Sequence, residues 1–203
     1  MRPHPLTTPP PPPPQWFLFD ASFVCTFQLS LRFAIGALPA AAVYLLPASP
    51  LGPADAAAAA VMLSAIVIEW SADDANFAFQ EAKHAMTPAA RKAAGGDYAK
   101  GFLTTGLFGM CRHPNYAAEQ TVWISFFGFA VAAGAPVTSP ACLGAVVLVL
   151  LFQGSVNFSE GITSSKYPDY KLYQETVPCF LPLGRIFGSL SGDFGGGLPK
   201  KRL

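Results

Sequence analysis

Four long apolar segments constrain this chain more than any other feature of its sequence. They cover residues 29–46, 56–70, 120–135 and 141–153, and few charged side chains interrupt them. Only 12% of the 203 residues are charged, against about 25% in a typical soluble domain. Segments of this kind are typical of helices that cross a bilayer. The sequence therefore predicts an all-α integral membrane bundle whose surroundings are the lipid bilayer.

The lengths of the segments predict how many helices the bundle has. A further apolar stretch, residues 16–29, contains Asp20 and Gln28 and is expected to be interfacial or re-entrant, which makes about 4–5 membrane helices in all. A helix over 56–70 spans only about 22 Å, short of the roughly 30 Å hydrocarbon core. We therefore expect one long helix from 56 to 86, and a helical hairpin formed by 120–135 and 141–153.

Both ends of the chain differ in composition from its middle. Six prolines run from Pro9 to Pro14, and they cannot form a regular helix because proline lacks the backbone donor. The other end is rich in glycine and closes in a basic run. We predict disorder over 1–15 and 191–203, and one membrane domain over 16–190. The net charge of +1 gives no electrostatic reason to expect a nucleic-acid partner.

Basic residues predict how the chain is oriented in the membrane. Lysines and arginines concentrate between the second and third apolar segments and again after the fourth, in stretches separated by an even number of crossings. The positive-inside rule places both stretches in the cytosol. We therefore expect the loop 83–112 and the C-terminus to face the cytosol. The basic tail is compatible with the endoplasmic reticulum, our expected location, and equally with another membrane.

Three polar clusters adjoin the apolar segments on this expected cytosolic side, and together they predict one polar cavity. The densest cluster runs from Arg112 to Glu119. Pro114 suits the first turn of a helix. The free backbone N–H groups of that turn, together with Arg112, are expected to form an anion site. Asn115 and Glu119 are spaced i and i+4 on one helix face. Taken singly, each residue is also consistent with an ordinary capping or interfacial role. The other clusters are Glu69, Asp73, Asn76 and Gln80, and then Asn157, Glu160, Tyr167, Tyr170 and Tyr173.

Templates of soluble enzymes and metal sites do not match this sequence. The glycines near residue 106 have neither dinucleotide-binding nor phosphate-loop spacing, and no serine lies in a nucleophile elbow. The histidines lack metal-ligand spacing, and the cysteines form no C-x-x-C pair, so no metal site or disulfide framework is predicted. The cysteines, expected to be buried thiols, are Cys25, Cys111, Cys142 and Cys179.

The stretch Arg112-His113-Pro114-Asn115-Tyr116-Ala117-Ala118-Glu119 resembles a motif of the steroid 5-alpha-reductase C-terminal-domain family of membrane reductases, distant kin of the sterol C14 reductases. The preceding Gly106-Leu107-Phe108 is similar to the lead of that motif. Upstream, Ala72-Asp73 with Phe79-Gln80 resembles a second element of the family, and Glu160 with 167–173 resembles its closing motif. The resemblance extends over roughly residues 60–183.

This resemblance implies a membrane-bound reductase of a polarised C=C bond in a lipid or sterol, with NADPH in a cytosol-facing cavity. A tyrosine or glutamate would act as the acid toward an enone oxygen while hydride attacks the β carbon. The residues implied to bind the cofactor are Asp73, Arg112, His113, Asn115, Glu160 and Tyr167. The candidate catalytic residues are Glu119, Tyr116 and Tyr170.

Two other functions stay open for the same motifs. Membrane methyltransferases of the isoprenylcysteine carboxyl methyltransferase type, which use S-adenosylmethionine, share an Arg-His-Pro-x-Tyr element before a helical hairpin. Asn115, where that group tends to have serine, and the element at Asp73 favour the reductase. A non-catalytic membrane protein that retains the fold is the third possibility, because at most two candidate spans precede Asp73 and the reductases usually have more. No small-x-x-x-small face stands out, so no oligomeric state is predicted.

Overall fold

Helices dominate residues 14–181, the part of the chain that the computed structural model describes, and no strand occurs within it. The all-α prediction is confirmed. Of the segments predicted to be disordered, 1–13 and 191–203 lie outside the described residues, and Pro14 and Gln15 open the first helix.

The elements are α1 (Pro14–Phe19), a π-helical segment (Asp20–Gln28), α2 (Leu29–Leu45), α3 (Pro53–Ala85), α4 (Pro88–Ala94), α5 (Gly96–Lys100), α6 (Leu107–Met110), α7 (Pro114–Ala132), a 3₁₀ turn (Pro140–Cys142), α8 (Leu143–Lys166) and α9 (Tyr170–Thr176).

Three of the described helices are long and apolar enough to cross a membrane, against the 4–5 expected. They are Pro14–Leu45, Pro53–Ala85 and Pro140–Lys166, with 32, 33 and 27 residues. The predicted 16–29 piece does not stand apart, because the π-helical segment joins it to α2 in one continuous helix. The first arm of the predicted hairpin lies in α7, which starts six residues earlier than the apolar segment and takes in the polar 114–119 stretch.

α3 begins and ends close to where its sequence predicts. Pro53 occupies the first turn, where its missing N–H costs nothing, and the Asp55 carboxylate accepts the backbone N–H of Gly52 at 2.8 Å. The helix then runs unbroken to Ala85, which confirms the predicted single long helix. Its 33 residues span about 50 Å, longer than a hydrocarbon core of roughly 30 Å. The polar C-terminal turns of α3 supply the excess length.

The other long helices pack in pairs around a small core. α7 lies along α3, and α2 packs against both α7 and α8. Leu31 and Ile35 of α2 meet Leu148 of α8 in a buried cluster, with Trp123 of α7 packed against it. α2 and α8 are in close contact at Gly144, where an added Cβ would lie 2.6 Å from the Cα of Ile35. The absence of a side chain at this glycine therefore sets the separation of the two helices.

The outer surface of the bundle is strongly apolar. Large side chains are more than half exposed on α2, α3 and α8, among them Phe33, Leu63, Trp70 and Leu150. Soluble monomers rarely expose contiguous apolar surface of this extent, whereas lipid tails accept it without cost. The surface therefore supports the predicted bilayer environment.

Beyond α9 the chain returns to the start of α7. The backbone N–H groups of Arg112 and His113 donate to the carbonyls of Pro178 and Cys179 at 2.9 and 3.0 Å. A second buried cluster, at the polar end of the bundle, holds the same segment in place. This cluster contains Phe102, Tyr170, Tyr173 and Val177. The segment after α9 therefore covers the Arg-His motif and shapes the site described next.

Candidate functional site

A polar cavity of about 350 Å³ lies where the C-terminal turns of α3, the loop after α5, the start of α7 and the end of α8 meet. Asn76, Gln80 and Lys83 of α3 line one wall, and Phe102 with Leu103 lines another. All three polar clusters of the sequence contribute to this cavity, as predicted. The expected site residues that line it are Arg112, His113, Asn115, Tyr116, Tyr167 and Tyr170.

The buried carboxylate of Glu160 is the centre of a hydrogen-bond network beside the cavity. Arg112 donates to it from Nε at 2.6 Å and from Nη2 at 3.3 Å. His113 Nε2 lies 2.8 Å from the same carboxylate, and Gln174 Nε2 donates at 2.7 Å. The Glu160 side chain is 8% exposed and that of Arg112 12%. This ion pair joins α8 to the loop before α7 and to α9.

The Arg112 guanidinium is fully used inside the protein. Nη1 donates to the carbonyls of Gln174 and Val177, while Nε and Nη2 bind Glu160. A guanidinium has five N–H donors, and Arg112 also forms a hydrogen bond with the Cys179 side chain, so no free donor remains for a ligand. The sequence predicted Arg112 as the anion-binding group, but the structure places it as a clamp between α8 and α9.

His113 presents a neutral ring to the cavity. Its Nε2 faces the Glu160 carboxylate, which assigns the proton to Nε2 and leaves Nδ1 as an acceptor. Burial, reinforced by the nearby Arg112, lowers the pKa of His113 below its usual value even though Glu160 acts in the opposite direction. The ring also stacks on Tyr116, with 5.3 Å between centroids.

The two tyrosines of α9 belong to the protein interior. The Tyr170 hydroxyl lies 3.5 Å from Glu160, and Tyr173 donates to the carbonyl of Phe108 at 2.5 Å. Both rings pack against Phe102. Burial, together with the adjacent Glu160 charge, raises the pKa of Tyr170 above that of an exposed tyrosine. Tyr170 therefore lines the cavity with its ring while its hydroxyl is directed at Glu160.

Asn115, Asp73 and Glu119 lie at or beyond the rim. Asn115 Nδ2 donates to Asp73 Oδ1 at 2.8 Å and so connects α7 to α3. Asp73 does not itself line the cavity. Glu119, one turn further along α7, is also outside the cavity lining and pairs with Trp123. The structure therefore brings Asn115 to the cavity and separates Glu119 from it, although the two share the predicted helix face.

Lys83, Gln174 and Gly101 contribute to the site and were not among the predicted residues. Lys83 continues the polar stripe of Asn76 and Gln80 at helical spacing, so the periodicity of α3 contains a signal for it. Gln174 and Gly101 give no comparable signal, because their contacts depend on how α9 and the loop after α5 pack.

An acidic cap shapes the loop that follows α5. The Asp97 carboxylate accepts hydrogen bonds from the backbone N–H of Thr104, its hydroxyl and the hydroxyl of Thr105. Lys100 Nζ lies 3.6 Å away, and the Asp97 side chain is 8% exposed. Burial favours the protonated acid, but the hydrogen bonds from Thr104 and Thr105 outweigh it and lower the pKa of Asp97 below its ordinary value.

Replacing Asp97 with asparagine is expected to lower the stability at neutral pH by about 1–2 kcal/mol, because charge-assisted hydrogen bonds are lost. The folded pKa lies below the unfolded value of about 3.9, so the carboxylate stabilises the fold above that pH and the contribution is lost as pH falls through the folded pKa. The unfolding temperatures of wild type and variant should differ most at pH 7 and converge below about pH 4. A difference in unfolding temperature that stays constant with pH would contradict this prediction. Asp74→Asn, which changes an exposed aspartate, is the control.

The side chains of His113, Glu160 and Cys179 place three potential metal-ligand atoms within 4.8 Å of one another, a grouping that sequence spacing did not predict. The Glu160 oxygens already bind the Arg112 guanidinium, and a metal cation would compete with that positive charge. Burial also raises the pKa of the Cys179 thiol and so disfavours the thiolate that binds metals. These three side chains therefore favour the Arg112–Glu160 ion pair over a bound metal ion.

The cysteines are less uniformly buried than expected. Cys111 is buried as predicted, Cys142 and Cys179 are half-buried, and Cys25 is exposed on the π-helical segment. The prediction of four buried thiols is therefore wrong for Cys25, because the π-helical segment that carries it buries none of its residues.

A second cavity, of about 520 Å³ and almost entirely apolar, lies on the other face of α7. Pro114, Ala117, Ala118 and Thr121 line it, whereas Asn115 and Tyr116 line the polar cavity. The first half of α3, α6 and the segment at Phe180 complete its walls. The start of α7 therefore separates a polar cavity from a larger apolar one.

Comparison with known proteins places the chain in a family. A family model described as a protein of unknown function, DUF1295, matches residues 15–177. An uncharacterised protein of Schizosaccharomyces pombe is 41% identical over 90 residues, which make up 44% of this chain and 26% of that protein, so the chain spans about a quarter of the length of this relative. No solved structure matches. Because the family match extends from α1 to the end of α9, the chain belongs to the DUF1295 family of proteins of unknown function.

Proposed function

We propose that this chain forms the cofactor-binding part of a membrane-bound, NADPH-dependent reductase of a polarised C=C bond in a lipid or sterol. One observation carries the proposal: three motifs that resemble the steroid 5-alpha-reductase family, far apart in the sequence, line one cavity. Gln80 comes from the first motif, His113 and Asn115 from the second, and Tyr167 from the third.

The cavity offers groups that suit such a cofactor. Its volume of about 350 Å³ lies in the range of small-molecule sites, roughly 300–1,000 Å³. Asn115 supplies an amide that can pair with a carboxamide, Lys83 supplies a cation, and Tyr116 and Tyr167 supply aromatic faces. Bound NADPH would give a hydride to the β carbon and leave as NADP⁺, and a proton from the protein would complete the saturated product.

Tyr116 is the residue we assign to proton donation. Its hydroxyl has no hydrogen-bond partner within residues 14–181, and its ring is held between His113 and Phe152, at centroid distances of 5.3 and 4.8 Å. A phenol in this position holds its proton at Oη, where a substrate carbonyl oxygen can accept it. Tyr170 directs its hydroxyl at Glu160 and Glu119 lies outside the cavity lining, so neither competes for this role.

The apolar cavity supports a lipid or sterol as the substrate class. Its volume of about 520 Å³ and its alkyl walls suit an acyl chain or a ring system. It adjoins α7 one turn from Tyr116, so a substrate seated there would approach the proposed proton donor along that helix. We therefore assign only the hydrocarbon part of the substrate to the apolar cavity, since its C=C bond has to lie beside the cofactor in the polar cavity for hydride transfer.

Titration of the full chain in detergent with NADPH, followed by calorimetry, tests the proposal. We expect saturable binding that Asn115→Ala weakens by about tenfold, as the loss of one hydrogen bond worth roughly 1.4 kcal/mol implies. Asn157→Ala, which removes an exposed amide on α8 outside the cavity lining, should leave the affinity unchanged. A response to S-adenosylmethionine but not to NADPH would favour the methyltransferase alternative, and a response to neither would favour a non-catalytic protein.

A further inference from the structure

Lys83 is a buried cation whose hydrogen-bonding capacity is largely unused. Its side chain lies near the end of α3 with only 6% of the residue exposed. Nζ donates to the carbonyl of Gly101 at 3.2 Å and lies over the rings of Phe79 and Tyr167, 5.3 and 6.0 Å from their centroids. An ammonium has three donors, so the neighbouring protein atoms satisfy one of them.

No acidic side chain within residues 14–181 forms an ion pair with Lys83. Lysine is almost never this buried without a partner, because removing its charge from water is costly. The two aromatic rings offset part of that cost. Glu160, whose carboxylate lies beside the same cavity, is already engaged by Arg112, His113 and Gln174. Residues 14–181 supply no counter-charge to Lys83, and an anionic ligand in the cavity would supply it.

A second lysine stands at the same end of the cavity. Lys166 of α8 lines it together with Lys83, and its Nζ lies 5.4 Å from the centroid of the same Tyr167 ring. Two ammonium groups near one ring raise the positive potential at this end of the cavity. Gln80, which also lines this cavity and donates one of its two amide hydrogens to Asn76, can add a neutral donor. Two basic side chains at one end of a cavity suit a group with two or more negative charges.

We propose that Lys83 and Lys166 bind a phosphate or diphosphate group of the ligand that occupies the polar cavity. The proposal rests on the proposed function in that it uses the same cavity, and it replaces Arg112 with Lys83 as the principal anion-binding residue. The ligand's phosphate end lies at Tyr167, and its uncharged end lies toward Asn115 and Tyr116. Phosphate of a dinucleotide and phosphate of a lipid headgroup share this chemistry, and the choice of probes distinguishes them.

The experiment measures binding of inorganic pyrophosphate to the full chain in detergent by calorimetry. Lys83→Met is expected to weaken binding at least tenfold, and Lys166→Met to weaken it severalfold. Lys92→Met removes the same charge from an exposed position on α4 and should leave the affinity unchanged. Equal affinity in wild type and Lys83→Met, or an equal loss in Lys92→Met, would overturn the proposal. Because Lys166 is exposed, its variant keeps the test valid if Lys83→Met fails to fold.

Further probes separate this inference from the proposed function. NADPH that binds wild type and both cavity variants equally would refute the lysine site and leave the reductase proposal standing. Pyrophosphate binding that depends on Lys83, without any NADPH binding, would confirm the lysine site and refute the reductase proposal. Dihexanoyl phosphatidic acid that binds in place of NADPH, with the same dependence on Lys83, would assign the site to a lipid headgroup.

Discussion

Replacement of Glu160 by alanine is expected to destabilise the protein by about 3–5 kcal/mol, the cost of leaving a buried cation without its partner. The change removes the acceptor of Arg112, His113 and Gln174 at once, and the Arg112 side chain is only 12% exposed. Thermal unfolding of the detergent-purified chain, followed by tryptophan fluorescence, should show a drop in midpoint on the order of 10 °C.

Two further variants define how this result is to be interpreted. Glu175→Ala removes an exposed carboxylate on α9 and should change the midpoint little. Glu160→Gln keeps the size of the side chain but loses its charge, so an intermediate loss is expected. If Glu160→Ala unfolds at the same temperature as Glu175→Ala, the network does not hold α8 and α9 together, and Arg112 becomes available again as an anion-binding group.

Substitution of Gly144 by alanine is expected to cost about 1–3 kcal/mol, the usual range for overpacking. The new Cβ would lie 2.6 Å from the Cα of Ile35, and backbone atoms cannot rotate away as a side chain can. α2 and α8 would have to separate, which loosens the cluster formed by Leu31, Ile35 and Leu148. The same unfolding measurement detects the loss.

Gly154→Ala is the matched control for this substitution, since it lies on the same helix with nothing within 4 Å of an added Cβ. Alanine is the better helix former by roughly 0.5–1 kcal/mol, so this variant should be unchanged or slightly more stable. Equal midpoints for the two variants would show that the close approach of α2 and α8 is not needed for stability.

The helices and their ends were largely predictable from local chemistry. Pro114 lies in the first turn of a helix, as predicted, and Pro53, three residues before the predicted start of α3, does so too, because proline's missing donor is harmless there. The polar stripe at Asn76 and Gln80 does face a cavity, since helical spacing alone puts the two on one side. The number of membrane helices was less well predicted, because the boundary between α1, the π-helical segment and α2 has no breaking residue.

The partners of the charged residues were not predictable in the same way. Arg112 and Glu160 are 48 positions apart, and their contact depends on how the loop before α7 packs against α8 and α9. A motif shows which groups are close along the chain. It does not show which of them use their hydrogen-bond donors and charges within the protein itself. Arg112 was therefore expected to face a ligand, and the structure directs most of its donors to Glu160 and to backbone carbonyls.

The sequence by itself determined that this is an all-α membrane protein with a polar end, because apolar length, charge content and helical spacing depend only on neighbouring residues. The tertiary structure alone decided which cation keeps its charge unpaired. Arg112 is neutralised by Glu160 across the bundle, and Lys83 is buried without an acid in the described chain. The physical reason is that pairing and burial depend on how α3, α8 and α9 pack, and the local sequence does not specify that packing.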